Sequence, residues 1–153
     1  MPGTYALLFR LDRPLALTVG RLGRVVLPAA DLVYVGSALG PGGWEARMAR
    51  HARRDKRPHW HIDHLTLRVQ PVLWRLETGP ERRECRWVRE LLALPGAWAP
   101  VPGFGNGDCR EGCPAHLIAL PPGVLPAGME PCGGAWASSR SVGEPCSSSI
   151  GLG

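Results

Sequence analysis

Residues 33 to 51 read V-Y-V-G-S-A-L-G-P-G-G-W-E-A-R-M-A-R-H, and the fold turns on how this stretch is divided. The short apolar run Val33-Tyr34-Val35 predicts a strand that stops at Gly36. The glycines and proline up to Gly43 predict a loop, either a plain turn or a place where backbone approaches a ligand closely. From about Trp44 to Arg54 the spacing predicts a helix that carries Trp44, Met48 and Ala52 on one face. Arg47 and His51, four apart, fall on the next face together with Arg54. A strand that delivers a tyrosine beside an arginine and a histidine suits phosphate chemistry.

Toward the N-terminus, Thr4 to Leu11 reads as a buried first strand. Leu15 to Val19 and Arg24 to Leu27, separated by Gly20-Arg21-Leu22-Gly23, read as a hairpin, and Asp31 to Val35 brings in the tyrosine strand. Toward the C-terminus, His59, His61, Asp63 and His64 lie in a segment that suits either an extended stretch or a short helix. Polar packing or phosphate contact accounts for these histidines better than metal binding, because Asp63 is the one acidic partner nearby. Val69 to Leu76 reads as a strand, with Pro71 pointing to an edge or a bulge near its start.

Thr78 and Glu81 have the spacing of a capping box, and the helix they open is expected to end before Pro95-Gly96. Its buried stripe of Trp87, Val88, Leu91 and Leu92 projects back onto Glu84. A carboxylate on that line is costly unless it is paired with an arginine or holds a metal. Cys109, Cys113 and His116 then approach zinc spacing, so this loop is read either as a set of buried thiols or as a structural zinc site completed by Cys85 or Asp108. Leu117 to Leu120 reads as a closing strand, and residues 121–153, more than half Pro, Gly or Ser, are expected to be a disordered tail.

The 153-residue chain, 44% apolar, suits one compact domain over residues 1–120 plus that tail. Its net charge is +5, and Lys56 is the single lysine. Arg47, Arg50, Arg53, Arg54, Lys56 and Arg57 crowd into a short stretch, which predicts either a solvated charged face or a polyanionic partner. The start lacks a charged region followed by an apolar run, and no stretch is long enough for a membrane span. A cytoplasmic protein with no membrane partner is expected, and the five cysteines are read as free thiols rather than a disulfide framework.

Gly3-Thr4-Tyr5, Tyr34-Val35-Gly36, Arg47, His51 and Glu84, taken in order, resemble the GIY-YIG nuclease superfamily. The chain looks most like a branch of it in which YVGSA, an arginine helix, HWHID and GFG-x-x-DC…HL recur, alone or fused to endonuclease III type glycosylases. The resemblance covers roughly residues 3–120. It implies a small α/β (α+β) fold, with a central antiparallel sheet flanked by helices and one Mg²⁺ or Mn²⁺ held by a single glutamate. Carried over by position, Tyr5 and Tyr34 are the paired tyrosines, Arg47 steadies the scissile phosphate, His51 assists proton transfer and Glu84 binds the ion. The hairpin between the two tyrosine strands is extra, Thr4 stands where isoleucine is usual, and Asn106 is the candidate for the asparagine found late in many members.

The expected function is therefore a metal-dependent DNA endonuclease, structure-directed and linked to DNA repair, since no sequence-reading module is visible. Arg50, Arg53, Arg54, Arg57, His59 and His61 are its expected DNA contacts, and Arg47 or the metal is expected to lower the pKa of a tyrosine that acts as base. Two other classes fit the residues: a nucleic-acid-binding module of the same fold that does not cut, and an interaction domain stabilised by zinc at Cys109, Cys113 and His116.

Overall fold

The computed structural model describes residues 1–107 and 109–132; Asp108 and residues 133–153 lie outside the described residues. The chain forms strands β1 (Gly3–Arg10), β2 (Leu15–Val19), β3 (Gly23–Leu27) and β4 (Asp31–Ala38), then helices α1 (Gly43–Ala52) and α2 (His61–Thr66). It continues through strand β5 (Leu73–Thr78), helix α3 (Glu84–Leu92) and strands β6 (Leu117–Leu120) and β7 (Glu130–Pro131). The result is an α+β fold with a five-stranded sheet ordered β6-β4-β1-β5-β7 and a separate hairpin of β2 and β3. Every strand pair in both sheets is antiparallel.

β1 lies at the centre of the sheet, and its neighbours are two strands distant in sequence. It is covered on both sides, so Thr4 to Phe9 are all buried and the run shows no polar alternation. Alternate residues face different cores. Tyr5, Leu7, Phe9, Leu32 and Tyr34 face α1, α2 and the hairpin, whereas Ala6, Leu8, Val33 and Val35 face α3 through Trp87, Val88 and Leu91. The two tyrosines therefore share a face because both occupy the same phase of adjacent strands.

Three expectations are corrected. The capping box does not form: Thr78 ends β5 opposite Gly3, and α3 begins at Glu84 with Arg83 as its N-cap. Glu84 thus opens the helix in line with its buried stripe, with a side chain 14% exposed and paired with Arg82. The tyrosine strand does not stop at Gly36: β4 continues to Ala38, because Gly36, Ser37 and Ala38 pair with β1. Ordered structure also continues past the expected domain end at residue 120. β7 pairs with β5, the Cys132 amide donates to the Val72 carbonyl, and Cys132 is fully buried. The rest of the expected tail, residues 133–153, lies outside the described residues.

Lys56 belongs to the frame rather than to an exposed basic face. Its Nζ donates to the carbonyls of Arg50 and His51 and to Thr66 Oγ1, which closes the C-terminal end of α1 onto α2. Beside it, the fully buried Asp63 accepts the backbone amides of His59 and Trp60 and a hydrogen bond from Arg50 at 2.7 Å. Those donors hold the Asp63 carboxyl below its usual range although burial alone would raise it. With three donors on its Oδ2, Asp63 anchors the turn before α2.

Candidate functional site

A cleft of about 1010 Å³ opens at the end of the sheet where β4 leaves the core. Tyr34, Arg47, His59, His61 and Glu84 line it, and Tyr5 and His51 form the buried layer beneath. Elements far apart in sequence supply them: Tyr34 comes from β4, Arg47 and His51 from α1, Tyr5 from β1 and Glu84 from the first turn of α3. Strand register sets the spacing, because Tyr5 is paired with Gly36. A Cβ on Gly36 would lie 2.7 Å from the Tyr5 hydroxyl, so the glycine that ends the Tyr-Val-Gly motif is the space that the Tyr5 ring occupies.

Tyr5 Oη and His51 Nε2 share a hydrogen bond of 2.7 Å. The Tyr5 ring lies 6.2 Å from that of Tyr34 and 5.4 Å from that of His51. Burial raises Tyr5 to about 12, and Arg47 beside it lowers the phenol less than burial raises it. Tyr34 is likewise pushed well above its ordinary value by burial and by Tyr5. The expectation that Arg47 brings a tyrosine toward neutrality is thus reversed, because desolvation outweighs the cation. His51 moves the other way, down to about 3, through burial and the fields of Lys56 and Arg47. It is a neutral imidazole at any physiological pH.

Arg47 lies over the Trp60 ring, 4.3 Å from its centroid, which keeps the guanidinium at the cleft wall. Glu84 accepts a hydrogen bond from Arg82 at 3.2 Å across the rim. His61 is held by the Gly105 amide, which donates to its Nδ1 at 2.9 Å, and His59 is exposed at the rim. Gly105 has a positive φ of 77° and meets Tyr34 closely, so the glycine loop forms the wall opposite α1. Arg53, Arg54 and Arg57 are exposed beside the cleft rather than in it, and Arg50 is engaged by Asp63 and by the Arg57 carbonyl.

Asn106, the candidate for the late asparagine, lies in this loop, where its Nδ2 donates to the Cys113 carbonyl. Arg82 and Arg110 also line the cleft and went unnoticed in the sequence, where both sit among many other arginines. At the far wall, Cys85, Cys109, Cys113 and His116 place their ligand atoms within 4.8 Å of one another, a Cys₃His group that can hold a metal ion. Burial acts to raise the Cys109 thiol, but hydrogen bonds from the backbone at Glu111 and Cys113 outweigh it and bring the thiol down to about 6. Cys85 is the member that the sequence offered only as one of two alternatives. It joins the group because the α3 N-terminus faces the loop.

The model of the family described as domain of unknown function DUF123 matches residues 4–125. No curated protein and no solved structure matches the chain significantly.

Proposed function

We propose that this chain, which belongs to the DUF123 family of domains of unknown function, is a metal-dependent DNA endonuclease of the GIY-YIG kind. What carries the reading is the convergence at one cleft of Tyr5, Tyr34, Arg47, His51 and Glu84, with the 2.7 Å Tyr5–His51 hydrogen bond at its base. A guanidinium held at the wall of an open cleft suits a phosphodiester, whose non-bridging oxygens it can bind through two donors.

Glu84 fits a hard divalent ion: one partly exposed carboxylate facing a roomy cleft leaves most coordination positions to water and phosphate, the way Mg²⁺ is commonly held. Such an ion would supply stabilisation of charge on the leaving oxygen. Arg47 would bear the charge on the phosphoryl oxygens, and Tyr34 would border the attacking water. His51, kept neutral by burial and by the cations around it, holds the Tyr5 hydroxyl in place beneath the cleft.

The test is incubation with branched, flapped and abasic DNA in Mg²⁺ and in Mn²⁺. Glu84→Gln is expected to abolish cleavage and to leave DNA binding and stability intact, since only an exposed partner, Arg82, loses its ion pair. Arg47→Ala is expected to cost roughly 10²–10³ in rate, with no rescue by excess Mg²⁺. A Glu84→Gln protein that cuts at the parent rate would remove the ion from this position. The burial that raises both phenols favours a second reading, a nucleic-acid-binding module that does not cut. Parent protein that binds these DNAs and cleaves none of them in either metal would establish it.

A further inference from the structure

We propose that Cys85, Cys109, Cys113 and His116 bind one Zn²⁺ in a closed tetrahedral site, and that this ion sets the position of Glu84 by fastening the start of α3 to the 105–116 loop. The first half stands on the cluster alone; the second rests on the reading of Glu84 as the ligand of the catalytic ion.

The geometry is that of a ligand shell. Zinc bonded to sulfur at about 2.3 Å and to nitrogen at about 2.0 Å gives tetrahedral edges of about 3.5–3.8 Å. Cys85 Sγ lies 3.7 Å from Cys109 Sγ and 3.9 Å from His116 Nε2. Such a sulfur separation is far too long for a disulfide, whose bond is about 2.05 Å. Three thiols and one imidazole also leave no donor for a hard cation, so this group selects zinc, whereas the Glu84 carboxylate selects Mg²⁺ or Mn²⁺. Four protein ligands complete the shell, which makes the ion structural and keeps it out of the hydrolytic step.

The loop needs such a fastening. Between Gly103 and Pro114 it carries Gly103, Gly105, Gly107 and Gly112, and Phe104 is its one buried large side chain among the described residues. Ordering glycine-rich backbone is entropically costly, and metal ligation offsets that cost where apolar burial does not. Arg89 of α3 reaches the same loop through Glu111 at 3.0 Å, but that pair is solvent-exposed and adds little. Cys85 follows Glu84 directly in α3, so a ligand bond at Cys85 fixes the turn from which the Glu84 carboxylate enters the cleft. Three thiolates and one Zn²⁺ leave a single net negative charge beside Glu84, which adds to the attraction for a second divalent ion.

Two measurements on the full chain decide the matter. Protein purified without chelator is expected to carry one zinc per chain by elemental analysis. Cys109→Ser and Cys113→Ser are expected to lose it, and Cys132→Ala, outside the cluster, to keep it. Where a serine variant fails to fold, the native chain is used instead: cobalt in place of zinc should give the intense sulfur-to-cobalt absorption of tetrahedral thiolate ligation. Folded native protein without zinc after growth in zinc-replete medium, or Cys113→Ser protein that keeps the ion, overturns the site. For the second half, Mn²⁺ binding is followed by isothermal titration with and without zinc. Removing zinc is expected to weaken Mn²⁺ binding about tenfold or more, and unchanged Mn²⁺ affinity overturns the coupling. Bound zinc in a chain that takes up no Mn²⁺ in either state overturns the coupling and with it the nuclease reading, and leaves the zinc site standing.

Discussion

At the scale of single residues, the site is built from groups in unfavourable protonation environments. His51 is the clearest case, a fully buried imidazole with Nε2 committed to Tyr5 and Nδ1 without a hydrogen-bond partner among the described residues. Its folded pKa of about 3 lies below the ordinary value of 6.5, so the unfolded chain takes up a proton that the folded chain refuses. Stability attributable to this residue is full above about pH 6.5 and falls as pH drops toward 3, by about 5 kcal/mol in total. Denaturant titrations between pH 7 and 4 should show that slope, and His51→Gln should flatten it. Gly36 gives a second prediction: Gly36→Ala would press a methyl onto the Tyr5 ring and should destabilise by about 1–3 kcal/mol. Equilibrium unfolding measures it, and a neutral result would mean that the ring moves aside freely.

At the scale of elements, sequence pattern and structure agree wherever local rules decide. The glycine-bracketed hairpin, α1 and β6 fall where apolar runs, glycines and helical spacing put them, whereas β4 runs on past Gly36, where a stop was expected, because Gly36, Ser37 and Ala38 pair with Tyr5, Thr4 and Gly3. The capping box failed because pairing of Thr78 with the central strand outweighs a cap that contributes about 1 kcal/mol. β7 was illegible because two residues of an edge strand in a Pro/Gly-rich segment leave no periodicity to read. Most of the candidate site was legible through motif order; the raised tyrosine pKa values were not, since burial is a property of the assembled sheet. Nor was the role of Lys56, which looks like one more cation in a basic run until α2 packs against α1. A chain ending at Leu120 loses β7 and the buried Cys132, and should be less stable than one ending at Cys132 by about 1–3 kcal/mol. Thermal unfolding of the two truncations compares them directly.

At the scale of the whole molecule, positive charge extends beyond the arginines that line the cleft. Arg53, Arg54 and Arg57 stand exposed after α1, while Arg50 and Lys56 are consumed by the frame around Asp63. Arg53 and Arg54 replaced by alanine should weaken binding alike across unrelated DNA sequences and reduce the salt dependence by roughly one unit of slope per lost contact. Arg50→Ala should instead lower stability, because it strips a partner from the fully buried Asp63. Fluorescence anisotropy over a salt series distinguishes the two outcomes, and an unchanged slope for the Arg53, Arg54 variant would place DNA on another face. Among the described residues, no helix is long and apolar enough to cross a membrane.

The placement of β1 also bears on how the chain is made. Within this sheet the strand made first is the central one, and its two neighbours begin at Asp31 and Leu73. During synthesis β1 therefore waits with an open edge until residue 78 has emerged, and in that interval the hairpin of β2 and β3 is the one pair of strands that neighbouring sequence can close. An apolar strand held open in this way is exposed to other nascent chains. The demand that the fold places on the cell is thus greatest before Thr78 has emerged, well before the cleft exists.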